Sequence, residues 1–318
     1  MSDSAEGCEK LLIVIVTHNP DIAFMKKNIG KIRADLRLRL MIIDNHSRRD
    51  VTELRNYVDH FICFAKNYGL GRAYNYAFKF AKTNSEDYVL FLDQDAGILD
   101  NFDPISVVEQ ASRVLERPVI VGINPITAAV NGDTSYANFY LVKSLMNSGM
   151  IVRVDYGLEN PFLEELFLDS LDAEYCFRAW KDRHSILVYK EPMITHKPGE
   201  GYWMPRGVTG GLIIVLKSLM KTEYVLTGKV NAEQVRIGWP FELKYSNSLR
   251  YYLMLRNNLF LAVRRMVPLG TLRFLAVQCL LLINLKGVMC GGGLVLRAIA
   301  KGLTGRLTED NQELFYET

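Results

Sequence analysis

The apolar run Tyr88-Val89-Leu90-Phe91-Leu92 stops abruptly on Asp93-Gln94-Asp95-Ala96. Such a run is a buried central strand that delivers its carboxylates to the C-terminal edge, where open α/β sheets hold ligands. In a turn just past the strand, Asp93 and Asp95 can approach one cation. Oxygen-only donors suit a hard ion, Mg²⁺ or Mn²⁺, which would in turn hold a diphosphate. The other reading of Asp-x-Asp is a solvated turn. Further polar groups follow apolar runs at Thr17-His18-Asn19-Pro20, at Asp44-Asn45-His46-Ser47 and at Asn67-Tyr68-Gly69-Leu70-Gly71-Arg72. Between Leu166 and Arg178, Asp169, Asp172 and Glu174 lead into a helix. There they serve as dipole complements, or in the case of Asp172 as an N-cap. His196 lies in the loop Thr195-His196-Lys197-Pro198-Gly199, where it is either a satisfied polar residue or a ligand.

The elements that must position these groups are legible from periodicity. Strands are expected at Leu11–Val16, Leu40–Ile43, Phe61–Phe64 and Tyr88–Leu92, with helices at Ile22–Leu36 and Ala73–Lys82 between them. Ser47 or Asp50 is placed to cap a helix after the second strand. A helix over Asn101–Glu116 and a strand at Val119–Gly122 follow, and Asn131-Gly132-Asp133 reads as a hairpin turn where the sheet becomes mixed. Ile186–Tyr189 is a last strand. Repeated strand, loop and helix predict a doubly wound α/β sheet, mixed and mostly parallel. No glycine follows the first strand, and Tyr74 stands where a third glycine would complete Gly69-x-Gly71, so a dinucleotide fold of the dehydrogenase type is excluded. No Gly-x-x-x-x-Gly-Lys-Ser/Thr loop is present, which excludes a P-loop nucleotidase.

The chain of 318 residues, 49% hydrophobic, is long enough for one large domain and an extension. Its five cysteines are widely spaced, which suggests neither a disulfide framework nor a zinc site and fits a reducing, cytoplasmic setting. The acidic, polar start Met-Ser-Asp-Ser-Ala-Glu is unlike a secretory signal. Charge is unevenly spread. Residues 1–205 hold 23 Lys/Arg and 28 Asp/Glu, whereas residues 206–306 hold 15 Lys/Arg against Glu223, Glu233 and Glu242. We therefore expect an α/β domain over 1–205 and a basic helical region over 206–318 that meets an anionic partner. Helices are expected over Leu249–Val267 and Leu272–Leu303. The uncharged stretch Phe274–Leu285 is shorter than the about twenty residues a membrane span needs. Apolar faces flanked by Arg256, Arg264, Arg265, Arg273, Lys286, Arg297 and Lys301 suit a helix lying in an anionic lipid surface, or a packed helical subdomain with a solvated basic face. No nucleic-acid recognition module is present.

Together these stretches resemble the family 2 glycosyltransferases, and within them the bacterial rhamnosyltransferases of cell-surface polysaccharide assembly. The resemblance rests on Val16-Thr17-His18-Asn19-Pro20, Ile43-Asp44-Asn45-His46-Ser47, Asn67–Asn75, Leu92-Asp93-Gln94-Asp95, Phe167–Arg178, His196-x-x-Gly199 and Arg250–Asn257, in that order. Ala96 and Ala173 depart from it, standing where those enzymes usually show Ser and Thr. The resemblance implies a GT-A type nucleotide-sugar-binding domain and an inverting, metal-dependent transferase. Asp44 would accept from the nucleobase imide N–H, with Thr17 and Asn19 lining the same pocket. Asn67, Gly69, Arg72, Asp93 and Arg178 would lie along the donor. Asp95, with Asp93 and His196, would hold Mg²⁺ or Mn²⁺, and Asp172 would be the catalytic base. The implied donor is dTDP-rhamnose, or UDP-galactofuranose or another UDP-sugar. The acceptor would be a lipid-linked saccharide of O-antigen or lipopolysaccharide biosynthesis, met at the inner face of the bacterial plasma membrane. A membrane-bound scaffold without activity is the alternative in a different class.

Overall fold

The computed structural model describes residues 9–125, 130–195, 202–203, 207–226, 243–244, 247–267 and 272–315. The chain divides into two compact units. The first comprises Met1–Ala128, Thr134–Glu164 and Ala179–His196; the second comprises Ala129–Asp133, Glu165–Arg178 and Lys197–Thr318.

In chain order the elements up to residue 195 are β1 (Leu11–Thr17), α1 (Ile22–Ile32), β2 (Arg39–Asp44), β3 (His60–Cys63), α2 (Leu70–Thr83), β4 (Tyr88–Asp93), β5 (Gly97–Ile98), α3 (Pro104–Val114), β6 (Ile120–Gly122), β7 (Val130–Tyr136), β8 (Phe139–Val142), β9 (Met150–Arg153), α4 (Val154–Glu159), α5 (Leu171–Lys181), β10 (Ile186–Tyr189) and β11 (Ile194–Thr195). Nine of the eleven strands build one sheet in the order β3-β2-β1-β4-β9-β6-β10-β8-β7, and β5 pairs separately with β11. Strands β3, β2, β1 and β4 run parallel, β9 is antiparallel to both β4 and β6, and β10 returns parallel to β6. The expected mixed, mostly parallel sheet is therefore present.

Alternation along the strands decides which helix each face receives. Ile13, Ile15, Leu40, Ile42 and Leu90 pack with Met25, Ile29 and Ile32 of α1 and with Ile105 and Val108 of α3. Phe91, of the opposite parity, meets Tyr74 of α2 at 4.1 Å between ring centroids. Phe78 of α2 and Phe162 stack at 6.1 Å.

Several boundaries differ from the sequence reading for visible reasons. Helix α1 stops at Ile32 because Leu36, the next apolar residue in phase, is 91% exposed and contributes nothing to burial. Helix α3 starts late, with Asp103 capping Ser106 N–H and Pro104 in the first turn. Helix α2 begins at Leu70, so Gly71 and Arg72 sit on its first turn. The Asn131-Gly132-Asp133 stretch lies inside β7, and the reversal to β8 falls on Ala137, at φ 44°, and Asn138.

The second unit is helical: α6 (Gly207–Leu226), α7 (Ser248–Val263), α8 (Leu272–Thr304) and α9 (Leu307–Phe315), with a small antiparallel pair of β12 (Tyr202–Trp203), before α6, and β13 (Leu243–Lys244), after it. Neither α6 nor α9 was foreseen. By length and composition Phe274–Thr304 is apolar enough to cross a membrane. However, Gly287 breaks it at φ 79°, ψ 167° into Leu272–Lys286 and Val288–Thr304. Each arm is shorter than the about twenty residues of a span. A Cβ at Gly291 would meet the Leu282 carbonyl at 2.5 Å, so the second arm folds back on the first. At the bend Val288 is 75% and Met289 90% exposed.

Candidate functional site

Strands β1, β2 and β4 end level with one another: Thr17 is the register partner of Asp44, and Val16 that of Asp93. Motifs far apart in the chain thereby reach one sheet edge. Asp44 is buried at 3% exposure. Its Oδ1 accepts from the Thr17 hydroxyl at 3.0 Å and the Ser47 hydroxyl at 2.5 Å, while Oδ2 accepts from Ser47 N–H at 2.9 Å. A carboxylate offers about four acceptor positions, so among the described residues Oδ2 keeps capacity for one more N–H. A buried carboxylate with this set of donors is held in one orientation.

The loops around it are stitched together. Asn19, at φ 52°, donates its N–H to the Ser47 hydroxyl at 2.7 Å and accepts from Arg48 N–H at 2.8 Å. Left-handed backbone is one that Asn adopts readily. Gln94 bridges to His18, accepting its N–H at 2.7 Å and donating to its carbonyl at 3.2 Å. Asn45 accepts from Tyr68 N–H at 2.9 Å, which ties the β2 end to the loop before α2. Sequence reasoning did not assign Gln94 and Asn45 these roles; the only signal was their place beside Asp93, Asp95 and Asp44.

In the Asn67–Arg72 stretch the Asn67 side chain accepts from Gly69 N–H at 3.0 Å. Gly69, at φ 81°, is the N-cap of α2 and brings no side chain to its first amides, which leaves the positive end of the helix dipole uncapped by a side chain. Gly71 lets α2 approach the chain closely, since a Cβ there would meet Leu163 O and Glu164 Cα at 3.1 Å. The Arg72 guanidinium lies 4.3 Å from the Tyr68 ring centroid and 3.8 Å from Glu164.

Asp93 and Asp95 occupy a turn closed by Ala96 N–H to Asp93 O at 3.1 Å, and Asp93 N–H donates to Ser148 Oγ at 3.1 Å. Asp93 is half-buried and Asp95 exposed. Directly after the turn Gly97 pairs with Thr195. His196 lies outside the described residues. No group of three or more His, Cys, Asp or Glu among the described residues could hold a metal by itself. One or two carboxylates completed by substrate phosphate oxygens is, however, the usual way Mg²⁺ is held, and the Asp93–Asp95 turn fits that donor set.

The acidic stretch before Arg178 is a separate arrangement in the second unit. Ser170 O accepts Glu174 N–H at 3.1 Å and so opens α5; Asp172 lies in the first turn rather than at the N-cap, half-exposed, accepting from Ala173 N–H at 2.8 Å. Glu174 is buried and paired with Arg178 at 2.9 Å. Burial pushes the Glu174 carboxyl up, and the Arg178 guanidinium offsets part of that rise. Arg178, expected along the donor, is thus engaged by its own helix. Asp169 is clasped by Arg250 at 2.6 and 3.3 Å.

Residues 12–113 match the model of glycosyl transferase family 2. The chain is similar to dTDP-rhamnosyl transferase RfbF of Shigella flexneri, at 22% identity over 57% of this chain and 66% of that protein. Among solved structures it is similar to TarS of S. aureus, at 14% identity over 92% of this chain and 54% of that one, with a TM-score of 0.46. Another is glucosyl-3-phosphoglycerate synthase of Mycobacterium tuberculosis, solved with Mn²⁺, uridine diphosphate and glucosyl-3-phosphoglycerate, at 14% identity over 70% of this chain and 82% of that one, with a TM-score of 0.40. The chain spans less than two thirds of RfbF and about half of TarS. Residues 12–113, the stretch that matches the glycosyl transferase family 2 model, carry Thr17, Asp44, Asn67, Gly69, Arg72, Asp93 and Asp95.

Proposed function

We propose that this chain is an inverting glycosyltransferase of GT-A type that moves L-rhamnose from dTDP-rhamnose to a hydroxyl of a lipid-linked saccharide. The observation that carries the proposal is the single sheet edge at which buried Asp44, with Oδ2 still able to accept, stands two strands from the Asp93–Asp95 turn. Thymine and uracil both present an imide N–H that Asp44 would accept, with Thr17 and Ser47 fixing its orientation. The uncapped α2 N-terminus and Arg72 supply positive potential for the diphosphate. Asp93 and Asp95, with His196 next after Thr195 in sequence, would hold Mg²⁺ or Mn²⁺. When bound, that ion offsets the charge on a departing nucleoside diphosphate.

Asp172 is the base in this reading. An acceptor hydroxyl is a poor nucleophile at neutral pH, so a carboxylate takes its proton as the new bond forms. A single displacement opposite the leaving group inverts the anomeric centre. Asp169 and Glu174, the neighbouring carboxylates, are each paired with an arginine.

The lipid-linked acceptor places the enzyme at the inner face of the plasma membrane, held by the basic helical region. The exposed Val288 and Met289 beside Lys286 at the bend of α8 suit shallow insertion into an anionic surface. The decisive experiment is thermal stabilisation by nucleotide-sugars with and without Mn²⁺. dTDP-rhamnose should stabilise the protein, with Mn²⁺ required, and Asp95→Ala should abolish the metal dependence. Stabilisation by UDP-galactofuranose alone would overturn the donor assignment. Metal-dependent stabilisation that persists in Asp95→Ala would overturn the role of Asp95.

A further inference from the structure

Three non-glycine residues in the five that precede α5 have left-handed backbone: Phe167 at φ 64°, Asp169 at φ 62° and Ser170 at φ 65°. Conformations of this kind cost energy and persist only where the surroundings over-determine them. Here one residue of α7, Asn257, makes several of the bonds that hold them. The Asn257 side-chain amide donates to Leu166 O at 2.9 Å, Leu168 O at 2.8 Å and Asp169 O at 3.1 Å. Two N–H groups thus satisfy three loop carbonyls, which leave the ordinary pattern of secondary structure because of the turn.

Asn257 is itself held. Its Oδ1 accepts from Arg256 Nε at 3.1 Å and Nη2 at 3.0 Å. Arg256 is fully buried, paired with Asp310 at 2.7 Å and Asn311 at 2.8 Å. Asn311 in turn donates to Glu165 O at 2.9 Å, so α9 grips the start of the same loop. At the loop's far end Arg250 clasps Asp169 from outside, and Ser170 Oγ donates to Asn258 Oδ1 at 3.0 Å. The backbone from Glu165 to Ser170 is therefore fixed at every second residue or closer, and Ser170 O opens the helix whose first turn carries Asp172.

We propose that Asn257, backed by Arg256, is a positioning residue: it holds the Leu166–Ser170 loop in its left-handed conformation and so sets where the Asp172 carboxylate stands. This inference rests on the reading of Asp172 as the base. A buried arginine that served packing alone would not need an amide neighbour bonded to three consecutive-turn carbonyls, and a reactive group misplaced by about 1 Å loses rate by up to roughly a hundredfold.

The test compares Asn257→Asp, which keeps the shape but turns both donors into acceptors facing carbonyls, with Arg250→Gln, a mild change at a half-exposed pair. Hydrogen exchange should rise about tenfold or more for amides 168–174 in Asn257→Asp, with β1, β2 and β4 unchanged. Turnover, read as dTDP released from dTDP-rhamnose with Mn²⁺, should fall roughly 10- to 100-fold in Asn257→Asp and roughly 3- to 10-fold in Arg250→Gln, with calorimetric dTDP affinity within about threefold of normal. The double variant Asp172→Asn with Asn257→Asp should be no slower than Asp172→Asn alone. Unchanged exchange in the loop, or losses that multiply in the double variant, would overturn the positioning role. Near-normal turnover in Asp172→Asn alone would instead overturn the base assignment.

Discussion

Under the proposal that Asp44 accepts from the nucleobase, replacing it with Asn tests that contact apart from the other proposed donor contacts. The side chain keeps its size, and one orientation is dictated by its neighbours. Its oxygen must stay where Oδ2 now accepts Ser47 N–H at 2.9 Å, because an NH₂ there would face a donor. The NH₂ then takes the place of Oδ1, where the Thr17 and Ser47 hydroxyls can rotate to accept. The atom that meets the base is still an oxygen but no longer charged. A hydrogen bond to a charged acceptor contributes about 1.5–3 kcal/mol and a neutral one about 0.5–1.5 kcal/mol. The difference of about 1–1.5 kcal/mol is roughly a tenfold loss of affinity for dTDP and for UDP. CDP, whose base presents an acceptor at the ring nitrogen where thymine presents N–H, has no such bond to lose. Its affinity should hold or rise slightly, narrowing the preference for dTDP over CDP about tenfold. Calorimetric titration of the three diphosphates with Mn²⁺, alongside melting temperatures, measures this directly. An Asp44→Asn protein of normal stability that binds dTDP as well as the parent would refute the nucleobase assignment, and an equal loss for CDP would point to a general collapse of the pocket.

Asp172→Asn should lower turnover by roughly 10²–10⁴-fold while leaving dTDP affinity unmoved, the mark of a group that acts in the transition state; a parallel loss in binding would argue that it supports the fold instead. Val288→Asp with Met289→Asp, both at exposed positions of the α8 bend, should leave the melting temperature unchanged and sharply reduce co-sedimentation with anionic vesicles, whereas unchanged binding would exclude the bend as the inserted part. In the second unit, burial alone would raise the Asp310 carboxyl, but the Tyr252 hydroxyl, Arg256 and Arg297 hold it below its ordinary value. The unfolded chain then takes up this proton more readily, so the stability the group contributes is complete above a pH of about 4 and drains away as pH falls further. Urea midpoints of the parent should therefore fall more steeply below about pH 4 than those of Asp310→Asn, which itself starts lower by about 3–5 kcal/mol because Arg256 is left buried without its partner. Parallel slopes would exclude Asp310 as the acid-sensitive group.

The parallel core and its edge are legible in the residues alone. Leu11–Thr17, Leu40–Asp44 and Tyr88–Asp93 are apolar on both faces and end on polar groups, and such segments have few places to go other than the middle of an α/β sheet. Local chemistry also fixed which residues would stand at the ends of those strands, because a strand's end is a property of its own composition. The partners across the edge are a different matter. That the Thr17 hydroxyl reaches Asp44 from the neighbouring strand, that Gln94 bridges to His18, and that Gly97 pairs with Thr195 depend on strand order and register. Those are set by long-range packing that no window of sequence contains. The same holds for helix ends: Leu36 continues the apolar period of α1 but finds nothing to bury against, while the helix expected over Leu272–Leu303 bends at Gly287, where the returning arm brings Gly291 close to Leu282. Most of all, Arg256 reads in sequence as one more basic residue flanking an apolar face that meets lipid, with Asn257 beside it, whereas in the structure Arg256 is fully buried. Only the folded chain, by bringing α9 and the Leu166–Ser170 loop to α7, turns them into the buried anchor of that loop, since a buried guanidinium or amide is tolerable only where tertiary structure supplies its partners.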